Sequence, residues 1–228
     1  MSQLAKREIR EENYRDLGFN GDINRTISSK DVKINKDKYP IFKRGFDIFF
    51  SIILLLVTSP IILVSMAIVF LQDFKNPIFV QYRVGLNNEE FKLYKIRSMI
   101  ENAEKDGYKW AATNDSRVTA FGRFIRKTRI DELPQLINVL KGDMSLIGPR
   151  PELEFFYRKF EKEIPEFRAR LLVKPGLTGW AQVNGGYDLS PSEKLALDLY
   201  YVDNLGMKIE MKIFFKTIKI ILTGNGAR

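Results

Sequence analysis

Three features of the sequence predict a mainly α protein with a small β-hairpin, carried on a membrane-embedded segment. Residues 48 to 72 read IFFSIILLLVTSPIILVSMAIVFLQ and contain no charged side chain, a run long enough to cross a hydrocarbon core as a helix. Two short β-type runs, Pro77 to Gly85 and Phe91 to Met99, flank the turn Leu86-Asn87-Asn88-Glu89, the pattern of a hairpin. Beyond Met99 most of the chain spaces its apolar residues as helices do.

The elements can be taken in chain order. Residues 1 to 39 form a polar leader of mixed charge, loop-rich, with Ala5 to Leu17 able to form a charged surface helix. The leader lacks the short apolar region of a signal peptide. The membrane unit spans 40 to 73, opening on Lys43-Arg44 and Asp47. Its middle holds Ser59-Pro60, where the missing proline N–H and the restricted residue before it favour a kink or a break. Each apolar half is too short to span alone. Hydropathy therefore leaves two topologies open, a kinked spanning helix and a helix-break-helix hairpin that enters and leaves on one face. Lys43 and Arg44 precede the segment and Lys75, Arg83, Lys92 and Lys95 come after it, so the positive-inside rule places both ends in the cytoplasm.

Residues 74 to 228 form one cytoplasmic unit. Its second strand alternates apolar and cationic residues and carries Lys92, Lys95 and Arg97. Glu101 to Lys109 reads as a polar helix and Phe121 to Lys127 as another. Leu153 to Leu172 is helical in pattern and interrupted at Pro165. Lys174 to Gly186 is dense in turn residues around Trp180; it reads equally as an ordinary packed loop or as a ligand loop in which Gln182 and Asn184 have the amide chemistry to read a uracil or sugar hydroxyls. Ser192 to Val202 is a further helix. Met207 to Leu222 sets Lys208, Lys212, Lys216 and Lys219 on one stripe with apolar residues around the rest, as an interfacial amphipathic helix or a core helix with a solvated face would.

Composition narrows the chemistry. The chain has no cysteine and no histidine, which removes thiol nucleophiles, disulfides, imidazole bases and Cys/His zinc sites. Catalysis must rest on carboxylates, hydroxyls, amines or a hard oxygen-bound metal. The net charge of +9 calls for an anionic partner: nucleic acid, an anionic membrane or a phosphorylated substrate. There is no P-loop and no GxGxxG.

The chemistry concentrates between Arg126 and Glu152, RKTRIDELPQLINVLKGDMSLIGPRPE. Asp131 reads as the N-cap of a helix that ends at Gly142, with Glu132 and Pro134 in its first turn and Leu133, Leu136, Ile137 and Leu140 on its buried face. Two carboxylates at a helix start repel a phosphate unless Mg²⁺ and guanidinium groups intervene. Arg126, Lys127, Arg129 and Arg150 supply cations, and prolines on both sides of Arg150 fix its backbone, which suits a planar phosphate donor.

Four blocks in order then resemble the bacterial sugar transferases of the monotopic phosphoglycosyl transferase family: Lys43-Arg44 and Asp47 ahead of an apolar segment broken at Ser59-Pro60; YKIRSM from Tyr94; IDELPQLINVLKGDMSLIGPRPE from Ile130; and KPGLTGWAQVNG from Lys174. The resemblance covers about residues 40 to 223. It implies transfer of a sugar phosphate from a UDP-sugar to a polyprenyl phosphate, here undecaprenyl phosphate, at the cytoplasmic face of the bacterial inner membrane. It further implies that Asp131 is the nucleophile, that Glu132 assists at Mg²⁺ or in proton handling, and that Arg126 and Arg150 bind phosphate or lipid headgroup. The Ser59-Pro60 break then marks a re-entrant hairpin rather than a span. Two departures stand out, a leader longer than in the smallest members and the absence of the extra spanning helices of the larger ones. A different class, a membrane-tethered basic module binding nucleic acid or a partner, shares the charge. Its cations would not be interleaved with acids, however, and no nucleic-acid motif is present.

Overall fold

The computed structural model describes residues 39–105, 107 and 115–223. The polar leader lies outside them. The first element, α1, runs Tyr39–Asp73 with Pro60 inside it. Helical backbone therefore continues through the expected break, and a local repair explains why. Pro60 has no N–H for the Leu56 carbonyl, and the Ser59 hydroxyl donates to that carbonyl instead at 3.0 Å. Thr58 donates in the same way to the Leu54 carbonyl at 2.7 Å. The Ser59 hydroxyl thus satisfies the carbonyl that proline frees.

Both ends of α1 are tied to the rest of the chain while its middle is bare. Near the start, Arg44 donates to the Val139 and Leu140 carbonyls at 2.6 and 2.8 Å, and Asp47 accepts from the Leu146 N–H at 3.1 Å. Lys43 pairs with Glu210 at 2.6 Å. Near the end, Ile62, Met66 and Val69 pack with Ile96 and Ile125, and Asp73 accepts from Arg97 at 2.5 Å. Between these anchors Leu56, Val57 and Leu63 are 64–70% exposed, a surface suited to hydrocarbon rather than water. Among the described residues this is the one helix long and apolar enough to cross a membrane.

The hairpin forms as the alternation predicts. Strands β1 (Ile78–Val84) and β2 (Glu90–Ile96) pair antiparallel, Ile78 opposite Ile96 and Val84 opposite Glu90. Asn87 and Asn88 take positive φ in the turn, which asparagine tolerates better than other residues with side chains. Turns occupy residues 101 to 105 where a polar helix was expected, and part of that expectation lies outside the described residues. Helix α2 is Ala120–Lys127, capped by the Thr119 hydroxyl.

The helix expected from Asp131 starts later. A 3-10 turn, Ile130–Glu132, holds both carboxylates, and α3 is Gln135–Lys141 with Pro134 at its N-cap. Arg129, left-handed at φ 59°, ends the preceding helix, so Asp131 sits inside a tight turn and caps nothing. The buried face also differs: Gln135, Leu136, Asn138 and Val139 are buried, whereas Ile137 is 43% exposed. Polar burial is the reason. The Asn138 amide donates to the Lys92 carbonyl at 2.7 Å and accepts from the Tyr94 N–H at 3.1 Å, stapling α3 to β2.

A second sheet was not foreseen. Strands β3 (Ser145–Ile147) and β4 (Gly176–Thr178) pair parallel. They are short, and a methyl on Gly176 would stand 2.0 Å from the Gly148 nitrogen, so only glycine permits the approach. Helices α4 (Glu154–Phe160), α5 (Trp180–Asn184), α6 (Pro191–Asp203) and α7 (Met207–Thr223) complete the described chain, with a 3-10 stretch Pro165–Leu172 after α4. Leu197, Tyr201 and Val202 of α6 and Ile213 of α7 form a core with Trp180. On the outer side of α7, Phe214, Phe215, Ile221 and Leu222 remain 42–81% exposed.

Candidate active site

A cavity of about 570 Å³ opens between the hairpin, the turn after α2 and the Pro149-Arg150-Pro151 segment. Asp131 and Glu132 lie in its wall, 7% and 9% exposed. β2 contributes Lys95 and Arg97, the α2 end contributes Arg126 and Arg129, and the segment after β3 contributes Arg150. Each depends on an element already described. The Asn138 staple fixes β2 against α3, and the Gly148–Gly176 contact lets the chain carrying Arg150 lie close beneath the dyad.

The two carboxylates are not equivalent. Arg150 forks onto Glu132, its Nη1 reaching Oε2 at 3.3 Å and its Nη2 hydrogen-bonded to Oε1. Lys95 reaches Oε1 as well, at 3.4 Å. Burial disfavours the Glu132 anion, yet Arg150 and Lys95 outweigh burial and hold its carboxyl far below the usual range. Asp131 has no such clasp among the described residues. Burial, with the Glu132 charge beside it, pushes its carboxyl up to about 6, against the pull of Lys95, Arg126 and Arg150. One member of the dyad is a locked anion; the other is a more basic carboxylate facing cations.

Beneath the dyad lies a second layer of charge. Glu152 pairs with Lys194 at 3.0 Å and with Arg83 at 3.7 Å. Burial opposes its charge, but Lys194, Arg170 and Arg83 prevail and draw its carboxyl down to about 2. Arg170, 1% exposed, donates to the Arg150 carbonyl at 3.0 Å and pairs with Asp198 at 2.6 Å. The backbone of Arg150 is thereby held from below while its guanidinium points at Glu132.

Of the residues singled out from sequence, the structure brings Asp131, Glu132, Lys95, Arg97, Arg126, Arg150 and Gln182 to this cavity. Arg97 has a second engagement, with Asp73 at the end of α1. Asn184 is turned elsewhere: its amide donates to the Trp180 carbonyl at 2.8 Å, and its oxygen accepts from Lys216 at 2.5 Å. Residing on the short helix α5 puts it on a different side from Gln182. Ser59 and Pro60 belong to the bare middle of α1, away from the cavity. Arg83, Glu152, Arg170 and Lys194 also line the cavity and were not anticipated. Glu152 adjoins the proline-flanked arginine, which was a usable signal; Lys194, on the first turn of α6, had none.

For a metal, the donor set can be tested directly. No group of three or more His, Cys, Asp or Glu side chains stands together among the described residues. Arg150 and Lys95 engage Glu132, so the pair does not present two open carboxylates. Mg²⁺ characteristically takes one or two carboxylates and completes its shell with substrate phosphates and water. The residues fit that mode through Asp131, with Glu132 joining only where Arg150 yields.

The chain matches the family model for bacterial sugar transferase over residues 38–224. It is 47% identical over 193 residues to the UDP-N-acetylgalactosamine-undecaprenyl-phosphate N-acetylgalactosaminephosphotransferase of Aeromonas hydrophila, an alignment covering 83% of this chain and 46% of that protein. It is 44% identical over 186 residues to the uncharacterized sugar transferase EpsL of Bacillus subtilis, covering 82% of this chain and 90% of EpsL. It is 39% identical over 203 residues to the undecaprenyl-phosphate galactose phosphotransferase of Salmonella typhimurium, covering 81% and 41%. The chain thus spans less than half the length of two of these relatives and nearly all of the third. The family match takes in α1, the dyad and the Gly148–Gly176 contact beside Arg150, and on that ground the chain belongs to the bacterial sugar transferase family.

Proposed function

We propose that the protein transfers a sugar phosphate from a UDP-sugar to undecaprenyl phosphate, releasing UMP, with Asp131 as nucleophile. The observation that carries this reading is the asymmetry of the dyad. Glu132 is neutralised by Arg150 and Lys95, whereas Asp131 keeps an elevated pKa in a cavity rich in cations. A carboxylate attacks a diphosphate only when the phosphate charge is screened and the geometry is held. Arg126, Arg129 and Arg150 line the wall where a diphosphate would lie. An Asp131 oxygen bonds to the sugar-bearing phosphorus as the diphosphate bridge breaks, and the bridging oxygen leaves with UMP. An oxygen of the lipid phosphate then attacks the same phosphorus and frees Asp131.

Mg²⁺, held by Asp131 and the substrate phosphates, would offset diphosphate charge. Gln182, lining the cavity from α5, would read a donor hydroxyl or base. Two-step transfer lets a soluble donor and a membrane-bound acceptor use one site in turn.

The anchors of α1 support a re-entrant topology. Asp47 and Asp73 bind the same body, through Leu146 and Arg97, so a spanning α1 would require that body on both sides of the bilayer. A re-entrant α1, bent near Ser59-Pro60 and returning to the cytoplasmic face, needs it on one side only. Single cysteines at Lys38 and Lys75 should both resist a membrane-impermeant thiol reagent in intact cells; labelling of just one would mean a span.

Covalent catalysis has its own test. Donor and Mg²⁺ without lipid acceptor should release UMP in at most one equivalent and add one phosphosugar mass at Asp131. If no adduct forms under acid quench and turnover requires both substrates bound together, transfer is direct and Asp131 serves as base or ligand.

A further inference from the structure

A second cationic site stands at the other end of α3, remote from the dyad. Gly142 closes that helix in the left-handed region at φ +94°, and its turn is flanked by Arg44 and Lys174. An Arg44 Nη and the Lys174 Nζ each lie 3.5 Å from the point where a Cβ on Gly142 would stand, so two cations face one small space. Arg44 is committed to the Val139 and Leu140 carbonyls. Lys174 is half-buried, and among the described residues its ammonium has neither a hydrogen bond nor an ion pair. Burial first, and Arg44 second, lower its pKa; Asp47 and Asp143 offset this only in part. Those two acids are themselves engaged, Asp47 with the Leu146 N–H and Asp143 with the Asn138 amide. A third cation, Lys141, adjoins the turn, lies over the Tyr94 ring at 4.7 Å and donates to the Tyr94 hydroxyl at 2.9 Å. None of the three cations lines the catalytic cavity.

A half-buried ammonium and a guanidinium facing one small space favour an anion there. The position says which anion. Arg44 sits about one helical turn before Ile48, where the charge-free run begins. Around it Ile41, Phe42 and Phe49 are 57–80% exposed, an apolar collar that water would not favour and lipid would. Cations just outside an apolar run are at headgroup depth. We infer that Lys174, with Arg44 and Lys141, binds the phosphate of an anionic phospholipid headgroup where α1 enters the bilayer. This requires that α1 meets a membrane and nothing of the transfer reaction, so the two readings fail separately.

The full chain, released into neutral detergent, would be titrated with phosphatidylglycerol or phosphatidylcholine and the bound lipid read by native mass spectrometry. Wild type should retain phosphatidylglycerol in preference, and Lys174→Gln should weaken that retention by about fivefold, the effect of one headgroup-level cation. Lys162→Gln removes the same charge from an exposed site elsewhere and should leave retention unchanged. Circular dichroism would establish that both variants keep the fold. Equal retention by the two folded variants would overturn the site. So would a thermal shift with inorganic phosphate that depends on Lys174 in the absence of any lipid preference, which would assign the cations to a soluble anion.

Discussion

Two neighbouring clusters of buried charge behave in opposite ways. In the layer below the cavity, Glu152 meets Lys194 and Arg83, and Asp198 meets Arg170. Acids there are matched by bases, and the cluster anchors the chain beneath Arg150. Of the dyad, only Glu132 is matched among the described residues; Asp131 stands buried and unclasped among cations that a substrate would share. Similar residue types thus give a structural cluster when paired and a reactive one when a carboxylate is left over. Removing Asp131 should therefore separate the two most sharply. Asp131→Asn should abolish turnover, a loss of at least about a thousandfold for a missing nucleophile. The same change relieves a desolvated charge and should stabilise the fold by about 1–3 kcal/mol, read by chemical denaturation. Lost stability would place Asp131 among the paired groups instead.

The paired layer predicts the converse. Asp198→Ala takes from the buried Arg170 its ion-pair partner and leaves only the charge of Glu152 near it, which costs about 3–5 kcal/mol, so the denaturation midpoint should fall steeply. Replacing both partners with apolar residues should recover much of that loss. Failure of the double variant to recover would mean that the pair's contact with the Arg150 carbonyl matters more than charge balance.

A smaller effect should attend Arg150→Lys. The ammonium keeps the charge but not the fork that spans both Glu132 oxygens. Turnover should fall by about ten- to a hundredfold, roughly the 1.4–2.8 kcal/mol of one or two misplaced charged hydrogen bonds. Stability should change little, since Lys95 still faces Glu132. Unchanged kinetics would remove Arg150 from the phosphate-binding set.

How far the sequence disclosed these clusters depended on the kind of signal each residue carried. The long apolar helix α1, the hairpin and α7 were legible because each has a period or an apolar run of its own. The dyad and Arg150 were legible because unusual neighbours, a second carboxylate and two prolines, mark them locally. Lys194 and Asp198 had no such mark; they look like solvated positions on α6 until the fold places them under Glu152. The β3–β4 pair escaped because its strands are three residues each and its contact is backbone on glycine. Asn184 was misplaced because proximity in sequence to Gln182 does not survive a helical turn. At Pro60 helical backbone continues, and the Ser59 hydroxyl takes over the carbonyl that proline frees.

The pH dependence should show both clusters at once, with modest amplitude. Glu152, drawn down to about 2, and Glu132, held lower still, bind fewer protons folded than unfolded. Their contribution is complete above about pH 4.5 and is lost as pH falls toward 2. Asp131 and Asp198, both raised to about 6 chiefly by burial, act with the other sign. They bind more protons folded, so stability declines as pH rises from about 4 to about 6 and levels off beyond. Stability should therefore peak near pH 4 to 5. Turnover needs ionised Asp131 and should rise through about pH 6, so the enzyme works best where it is less stable. Midpoints measured against pH should show the upper limb shallower in Asp131→Asn, with Asp198 left to carry it. An upper limb unaltered by that substitution would mean that Asp131 is ionised throughout, and the asymmetry of the dyad would no longer identify the nucleophile.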